Sequence, residues 1–498
     1  MSNNSRFYFV LLSVGSAIGI GNALLYPYYS FKLSGLFFIP YFVALLLLGV
    51  PLLMLEFSIG QYFNRNVVDL FASIRKWFSS IGWLMLFNAF IIMSLYAVVL
   101  SWHIIYFFVS FGLQWKNDAK RYFFNNVLQV SDGFKNTIFS ESQKSLIFDG
   151  FRNFTQFSLP VFIALVIAWL IIFFYVRKGF ESIKKGFLIT LPILVFLLFL
   201  FLFYSLNLEN ALAGVYSFLK PRFMNLLDLN VWLNSFSLAV LSLGLSFGVM
   251  HAVARKANKG FVVGASSIIV VIEILVSIAI GFVVFGVLGF LSAKQGSSLD
   301  SLVFSDFSSA FTILAQALPF FYKSVLLSIL FFIFLLLFFV LGTSALAYSI
   351  SNAVAHKLNT KKINAAIITC GFGFLFGLIF VIRPGFYIMD LVNHFIYYNI
   401  LIALLIEVIA IGWFFEIEKI ADFINMNSIF KIGKLWKFVI RYIVPLILLT
   451  LIIYQIKLDY LLNYNNYPLW AVLIFGLGTI VVPAVAAFLM PHRILDRG

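Results

Sequence analysis

The chain of 498 residues is 63% hydrophobic and 11% charged, with a mean hydropathy of +1.05. Soluble domains hold about 45–50% apolar and about 25% charged residues, so this composition excludes an ordinary globular enzyme, a disordered chain and a coiled coil. The net charge of +15 would suggest nucleic acid in a soluble protein. Here it fits connections that face anionic lipid, and no nucleic-acid partner is expected. A helix needs roughly 20 apolar residues to cross a bilayer. In chain order such stretches fall at 7–27, 36–60, 81–112, 158–176, 186–206, 232–254, 261–290, 323–355, 363–382, 388–415, 438–456 and 468–490, twelve spans in all. The runs, for example 191–206 and 325–341, are solid rather than alternating, which excludes a barrel of strands. The class is therefore an all-α polytopic membrane protein with 12 transmembrane helices in a lipid bilayer.

The run from Phe7 follows no basic region and no small-residue cleavage site, so it reads as the first span rather than a signal peptide. The single cysteine, Cys370, lies inside a span, excluding an internal disulfide and a cysteine-based metal site. Two connections are long, 113–157 and 291–322. The second carries an apolar stretch, 311–321, expected to dip back toward the membrane. Lys and Arg concentrate in alternate connections, at Arg65 and Arg75, Arg177 and Lys178, Arg255 and Lys256, Lys357 and Lys362, Lys434 and Arg441. By the positive-inside rule both termini are expected in the cytoplasm, with the chain multi-pass in the cell (plasma or inner) membrane. The short tails suggest a bacterium.

Spans that only anchor a protein need no glycines, hydroxyls or carboxylates. The first span reads Gly15-Ser-Ala-Ile-Gly19-Ile-Gly21-Asn22, and each glycine lowers helix stability by roughly 1 kcal/mol relative to Ala. It fits either close packing on a neighbour or an unwound stretch whose carbonyls hold a cation. The sixth span, Ser242-Leu-Gly244-Leu-Ser246-Phe247-Gly248, has the same character five spans later. Broken helices 1 and 6 in two five-helix halves point to a 5+5 inverted repeat with its site at the breaks, plus two further helices. The first repeat would cover about 7–206, the second about 232–415, and helices 11–12 about 438–490, all within one transporter domain. Thr343 and Ser344 in the eighth span fit either a back-bond to the preceding turn or hydroxyl ligands for a hard cation.

Four carboxylates, Glu56, Glu273, Asp390 and Glu407, fall within spans, where such groups are costly and default to function. Glu56 is close enough to a span end to be solvated at the interface, and Asp390 begins its span. Glu407 fits a structural hydrogen bond or a proton relay equally, and Glu273 is the least explained. The five histidines are scattered and show no ligand spacing. No nucleotide, hydrolase, protease or kinase motif is present. A membrane enzyme would need a His, acid or Cys cluster at one interface, so no enzymatic activity is expected.

These residues resemble the neurotransmitter:sodium symporter family in its bacterial amino-acid branch, which has the LeuT-type fold. The resemblance runs over nearly the whole chain. It rests on Gly15–Asn22 with Tyr26-Pro27, on Ile39-Pro40-Tyr41, Gly49-Val50-Pro51-Leu52, Glu56 and Gly60-Gln61-Tyr62. Tyr96 with Ser101-Trp102, the 242–248 segment, Thr343-Ser344 and Met389-Asp390 follow in family order. It implies sodium-coupled import by alternating access. The second sodium site would use carbonyls of Gly15, Ile18 and Val340 with hydroxyls of Thr343 and Ser344. The first would use Ala17, Asn22 and Ser242 with the substrate carboxylate. The family's Asn from the seventh span is missing, and Val271 holds the likeliest position, which leaves the first site altered.

The resemblance also implies that the substrate carboxylate meets the Gly21 amide and the Tyr96 hydroxyl. Its side chain would lie among Ile92, Leu241, Gly244, Phe247, Ser344 and Tyr348, with Ala17 and Ser242 close by. That lining is apolar and suits a neutral, apolar or aromatic amino acid. Gly19, where amine transporters tend to carry Asp, favours an amino acid over a monoamine. The gate would hold Asp390, Phe247 and Tyr96. Leu25 replaces the usual Arg partner of Asp390, with Arg383 a conceivable substitute. The inner gate lacks its N-terminal Arg and Trp, and His356-Lys357-Leu358 replaces its acidic partner, so closure by packing alone is expected. Leu275 stands near the position where a chloride-binding Ser would be wanted, so sodium is the expected ion and chloride is not. One sodium is expected, with a second conceivable. The alternatives are proton or single-sodium coupling, with Glu273 or Glu407 carrying the proton, and a non-transporting sensor relative. Monomer and homodimer are equally compatible with the sequence.

Overall fold

A computed structural model describes residues 3–17, 25–33, 37–116, 118–129, 157–220, 223–257, 259–299, 309–428, 430–462 and 467–490. Among the described residues every element is helical, apart from a lone bridge between Phe157 and Ile382. The order is α1 (Asn3–Ala17), α2 (Tyr26–Lys32), α3 (Phe38–Phe63), α4 (Val67–Ala72), α5 (Lys76–Gly112) and α6 (Ala119–Tyr122). Then come α7 (Leu159–Val176), α8 (Phe180–Leu206), α9 (Ala211–Leu219), α10 (Leu229–Ser242), α11 (Val249–Ala254) and α12 (Val262–Gln295). The chain continues through α13 (Ser309–Ala317), α14 (Ser324–Lys357), α15 (Lys362–Phe380), α16 (Gly385–Phe414), α17 (Ile417–Asn427), α18 (Lys434–Tyr460) and α19 (Leu469–Leu489).

Ten of these helices are long and apolar enough to cross a membrane. The first and sixth expected spans are instead represented by shorter apolar helices, α1 from Arg6 and α10. Backbone groups in hydrocarbon must be satisfied internally, which is why solid apolar runs fold this way. Local signals set several starts. Asn66, Ser158 and Asp228 cap α4, α7 and α10 through their side-chain oxygens. Most of the 113–157 connection, residues 130–156, lies outside the described residues. In the 291–322 connection the expected apolar stretch forms α13, tied to the end of α5 by Trp115 Nε1 donating to the Ala315 carbonyl at 2.9 Å.

The spans differ in how enclosed they are. In α5 and α16 the most apolar window is 83% and 78% buried, against 22% in α18 and α19, so the first pair is central and the last pair peripheral. α5 packs along α14, and α1 lies against α8, α11, α12 and α14. The residues that carry the site thus face one another from α1, α3, α5, α10, α12 and α14. Arg65, Arg177, Arg255 and Lys357 mark one end of the bundle, its basic end.

Candidate functional site

The sixth span is broken. α10 stops at Ser242 and α11 starts at Val249. Between them Gly244, Ser246 and Gly248 have φ of +63°, +64° and +71°. That left-handed region is favoured by glycine and costly for other residues. An added Cβ on Gly248 would meet Ser349 Oγ at 3.1 Å and Val67 Cγ1 at 3.2 Å, so the turn is also closely packed. Backbone donors in such a break need partners. The Ser246 amide finds one in Glu56, donating to Oε1 at 2.7 Å. The break is largely enclosed, with Leu243, Leu245 and Ser246 at 0% exposure and Gly244 half-buried. The matching segment of the first span, with Ile18, Gly19, Gly21 and Asn22, lies outside the described residues.

Ser242, at the last turn before the break, accepts a hydrogen bond from the Tyr41 hydroxyl at 2.9 Å. That hydroxyl also reaches Glu273 Oε1 at 3.0 Å. Glu273, the least explained of the span carboxylates, therefore belongs to a buried Ser242–Tyr41–Glu273 group joining α10, α3 and α12. This fixes the face of α12 and corrects two expected positions. Val271 and Leu275 point away from the site, at 51% and 60% exposure. The inward face carries Ile269, Val270, Glu273 and Ser277, all buried. Tyr41 was legible only as part of a motif, with no role attached.

On α14, Thr343 and Ser344 are fully buried, and neither hydroxyl has a hydrogen-bond partner among the described residues. This removes the back-bond reading. Other helical serines do bond to the preceding turn, as Ser16 does to Leu12 and Ser94 to Phe90. Buried hydroxyls are ordinarily satisfied, so this pair has donor oxygens to spare. Val340 is buried one turn away. Gly15 and Ala17 are buried on α1, which packs on α14. Gly15 also answers to packing, because an added Cβ would come within 2.6 Å of the Phe187 ring on α8.

Tyr96 and Asp390 line one narrow cleft between α5 and α16, with Leu95, Val99, Phe386, Met389 and Asn393. Asp390 accepts a hydrogen bond from Tyr467 at 2.8 Å. Among the described residues this phenol is one partner of Asp390, and no ion pair joins it to the conceivable Arg383. Ile92, one turn from Tyr96, is buried, as is Phe247 in the break, whose carbonyl accepts from Ser349 Oγ at 3.3 Å. Leu241 is half-buried. Tyr348 is buried, but it lines a second cleft at the basic end, with Phe180, Arg255, Lys256, Ser351 and His356. There burial, then Arg255 and Lys362, lower the Lys256 pKa. Tyr348 thus stands between the region of Ser344 and that cleft.

Two clusters were missed in the sequence. Glu56 is not interfacial: it is 0% exposed and lies 3.4 Å from His251 Nδ1. His251 Nε2 lies 3.0 Å from Glu407 Oε1. The histidines that looked scattered therefore include one in a buried acid–imidazole–acid group. Its local cause is readable afterwards. Gly60 lies one turn from Glu56 on the same face of α3, and an added Cβ there would meet the His251 carbonyl at 2.8 Å. Only glycine lets α3 and α11 approach so closely. At the basic end, Asp69 on α4 pairs with Lys357 at 2.6 Å and His356 at 3.1 Å. That end is held by an ionic group, which corrects the expectation of packing alone.

Comparison with known proteins gives the family. The family model for the Sodium:neurotransmitter symporter family matches residues 2–494. A sodium-dependent transporter of Methanocaldococcus jannaschii is 29% identical over 485 residues, covering 96% of this chain and 94% of the relative. A sodium- and chloride-dependent GABA transporter 2 of Rattus norvegicus is 26% identical, covering 94% of this chain and 82% of the relative. A sodium- and chloride-dependent glycine transporter 2 of Xenopus laevis is 24% identical, covering 99% and 70%.

Proposed function

The chain belongs to the sodium:neurotransmitter symporter family, and on that premise we propose that it imports a neutral, apolar or aromatic amino acid together with sodium by alternating access. The observation that carries the reading is the pair of buried, unpartnered hydroxyls of Thr343 and Ser344. With carbonyls of Gly15, Ile18 and Val340 they would supply five oxygens, the donor type a hard cation requires. Binding there would join α1 to α14 and favour the closed state. The halves at about 7–206 and 232–415 would be the inverted repeats, and helices 11–12 would lie at their edge. Both termini would be cytoplasmic, with release through the cleft below Tyr348.

The first sodium site, at Ala17, Asn22 and Ser242, would differ from the family pattern. Its Ser is engaged by Tyr41, and α12 contributes Glu273 rather than an Asn. That fixed carboxylate would supply the negative charge beside the site, so coupling would need no chloride. The substrate carboxylate would meet the Gly21 amide and the Tyr96 hydroxyl, with the side chain toward Ile92, Leu241, Gly244, Phe247 and Ser344.

The test is uptake of a labelled amino-acid panel into proteoliposomes, with and without an inward sodium gradient. Accumulation driven by sodium is expected, and its loss in the Thr343→Ala/Ser344→Ala variant. Accumulation that ignores sodium, or that survives intact in the variant, would remove the assignment.

A further inference from the structure

The Glu56–His251–Glu407 group lies beside the break but outside the ion and substrate positions proposed above. It sits under the broken helix, with all three side chains at 0–1% exposure. Glu56 comes from α3, His251 from α11 and Glu407 from α16. Glu56 Oε2, His251 Nδ1 and Glu407 Oε2 are buried without a hydrogen-bond partner among the described residues. The imidazole uses its two nitrogens in opposite directions, Nδ1 toward Glu56 and Nε2 toward Glu407. A neutral imidazole has one N–H and can donate to one carboxylate only. Both contacts are attractive only when the three groups together hold at least two protons. With one proton, a lone pair faces a lone pair across one of the gaps.

We propose that Glu56, His251 and Glu407 form a proton-binding site whose occupancy is tied to the position of α11. Adding a proton forms a bond at Nδ1 or at a carboxylate oxygen and makes both contacts attractive. Losing it opens the Glu56 contact and returns the proton to water. Glu56 also holds the Ser246 amide at 2.7 Å, so a change at the imidazole reaches the break directly. Arg255, one turn beyond His251 on the same helix, lines the basic-end cleft, which is the opening this proposal assigns to proton exchange. A divalent metal is the competing ligand for such a group. It would bond only one ring nitrogen, leaving the other facing a carboxylate.

Of the elements packed on α3, α12 brings Glu273, which bonds Tyr41, and α17 brings Glu418, Lys419 and Asp422. α4 brings Asp69, which Lys357 and His356 of α14 hold, and its Phe71 ring lies 6.2 Å from the imidazole. α14 also brings Tyr348, α1 brings Arg6, and the flank of α11 brings Arg255 and Lys256. Within 4 Å, the ion-pair partners of His251 among the described residues are Glu56 and Glu407.

The experiment uses the full chain in lipid and has two parts. In nanodiscs, protein labelled with 15N-histidine is titrated with acid and base, His251 being assigned by comparison with His251→Gln. The ring is expected to change protonation state, with a midpoint that moves by about one pH unit, a tenfold change in proton affinity, when sodium and a mixture of neutral amino acids are added. In proteoliposomes with an entrapped pH dye, uptake is expected to move protons, and Glu407→Gln to keep sodium-driven uptake while losing that movement. A ring that keeps one protonation state throughout, or proton movement unchanged in Glu407→Gln, overturns the proposal. So does one equivalent of bound divalent metal whose removal by chelator frees the ring to titrate. The coupling part rests on the transport reading, but the titration does not. Absence of all uptake would count against symport while the nanodisc titration still decides the proton site.

Discussion

Gly248 carries a backbone conformation that its neighbours leave no means of relaxing. At φ +71°, with Ser349 and Val67 within 3.2 Å of an added Cβ, Gly248→Ala combines left-handed strain of about 1–2 kcal/mol with a contact that must give. Its midpoint of thermal unfolding in detergent is expected to fall by several degrees, with sodium-driven uptake reduced; an unchanged midpoint would mean the turn is soft. Single residues also mark how far the sequence could be read. Thr343 and Ser344 stood out because hydroxyls in a Leu/Phe run have few reasons to be there. His251 did not, because its partners come from α3 and α16, and nothing local announces a pairing across 156 positions.

At the scale of helices, α12 shows why some of the site was illegible. Between Val262 and Ile280 nearly every residue is apolar, so no periodicity tells the inward face from the lipid face. The polar residues are Ser266, Ser267, Glu273 and Ser277, too few to define a face by themselves, and counting from the family pattern instead led to Val271 and Leu275, which face outward. α10 and α11 were easier, because Gly244, Ser246 and Gly248 announce the break whatever surrounds it. The contact between α4 and α14 adds a prediction. Hydrogen bonds to charged groups contribute about 1.5–3 kcal/mol, so Lys357→Ala should loosen the basic end. In a Cys370→Ser background, a cysteine at Ser351 in the cleft is expected to react several-fold faster with a soluble maleimide once Lys357 is removed. Equal rates would show that packing alone closes this end.

The whole molecule places its charged connections at two ends of one bundle, and the proposed orientation is open to direct measurement. With Cys370 replaced, a cysteine at Lys116 is expected to react with a membrane-impermeant reagent added outside intact cells, and one at Lys178 only after the membrane is opened. The reverse pattern would invert the topology. The lengths of the central helices carry a further consequence. α14 has 34 residues, about 51 Å at 1.5 Å per residue, against about 30 Å of hydrocarbon. Even tilted by roughly 40°, the upper end of the usual range, it overhangs the acyl chains. Lys357, its last residue, meets an Asp69 that is only 2% exposed, so the pair is enclosed by protein at the terminus of that long helix. Parting that couple would leave Asp69 a buried carboxylate without its cation, a cost of several kcal/mol unless water enters with the motion, so opening of this end and wetting of the cleft beside it are expected to occur together.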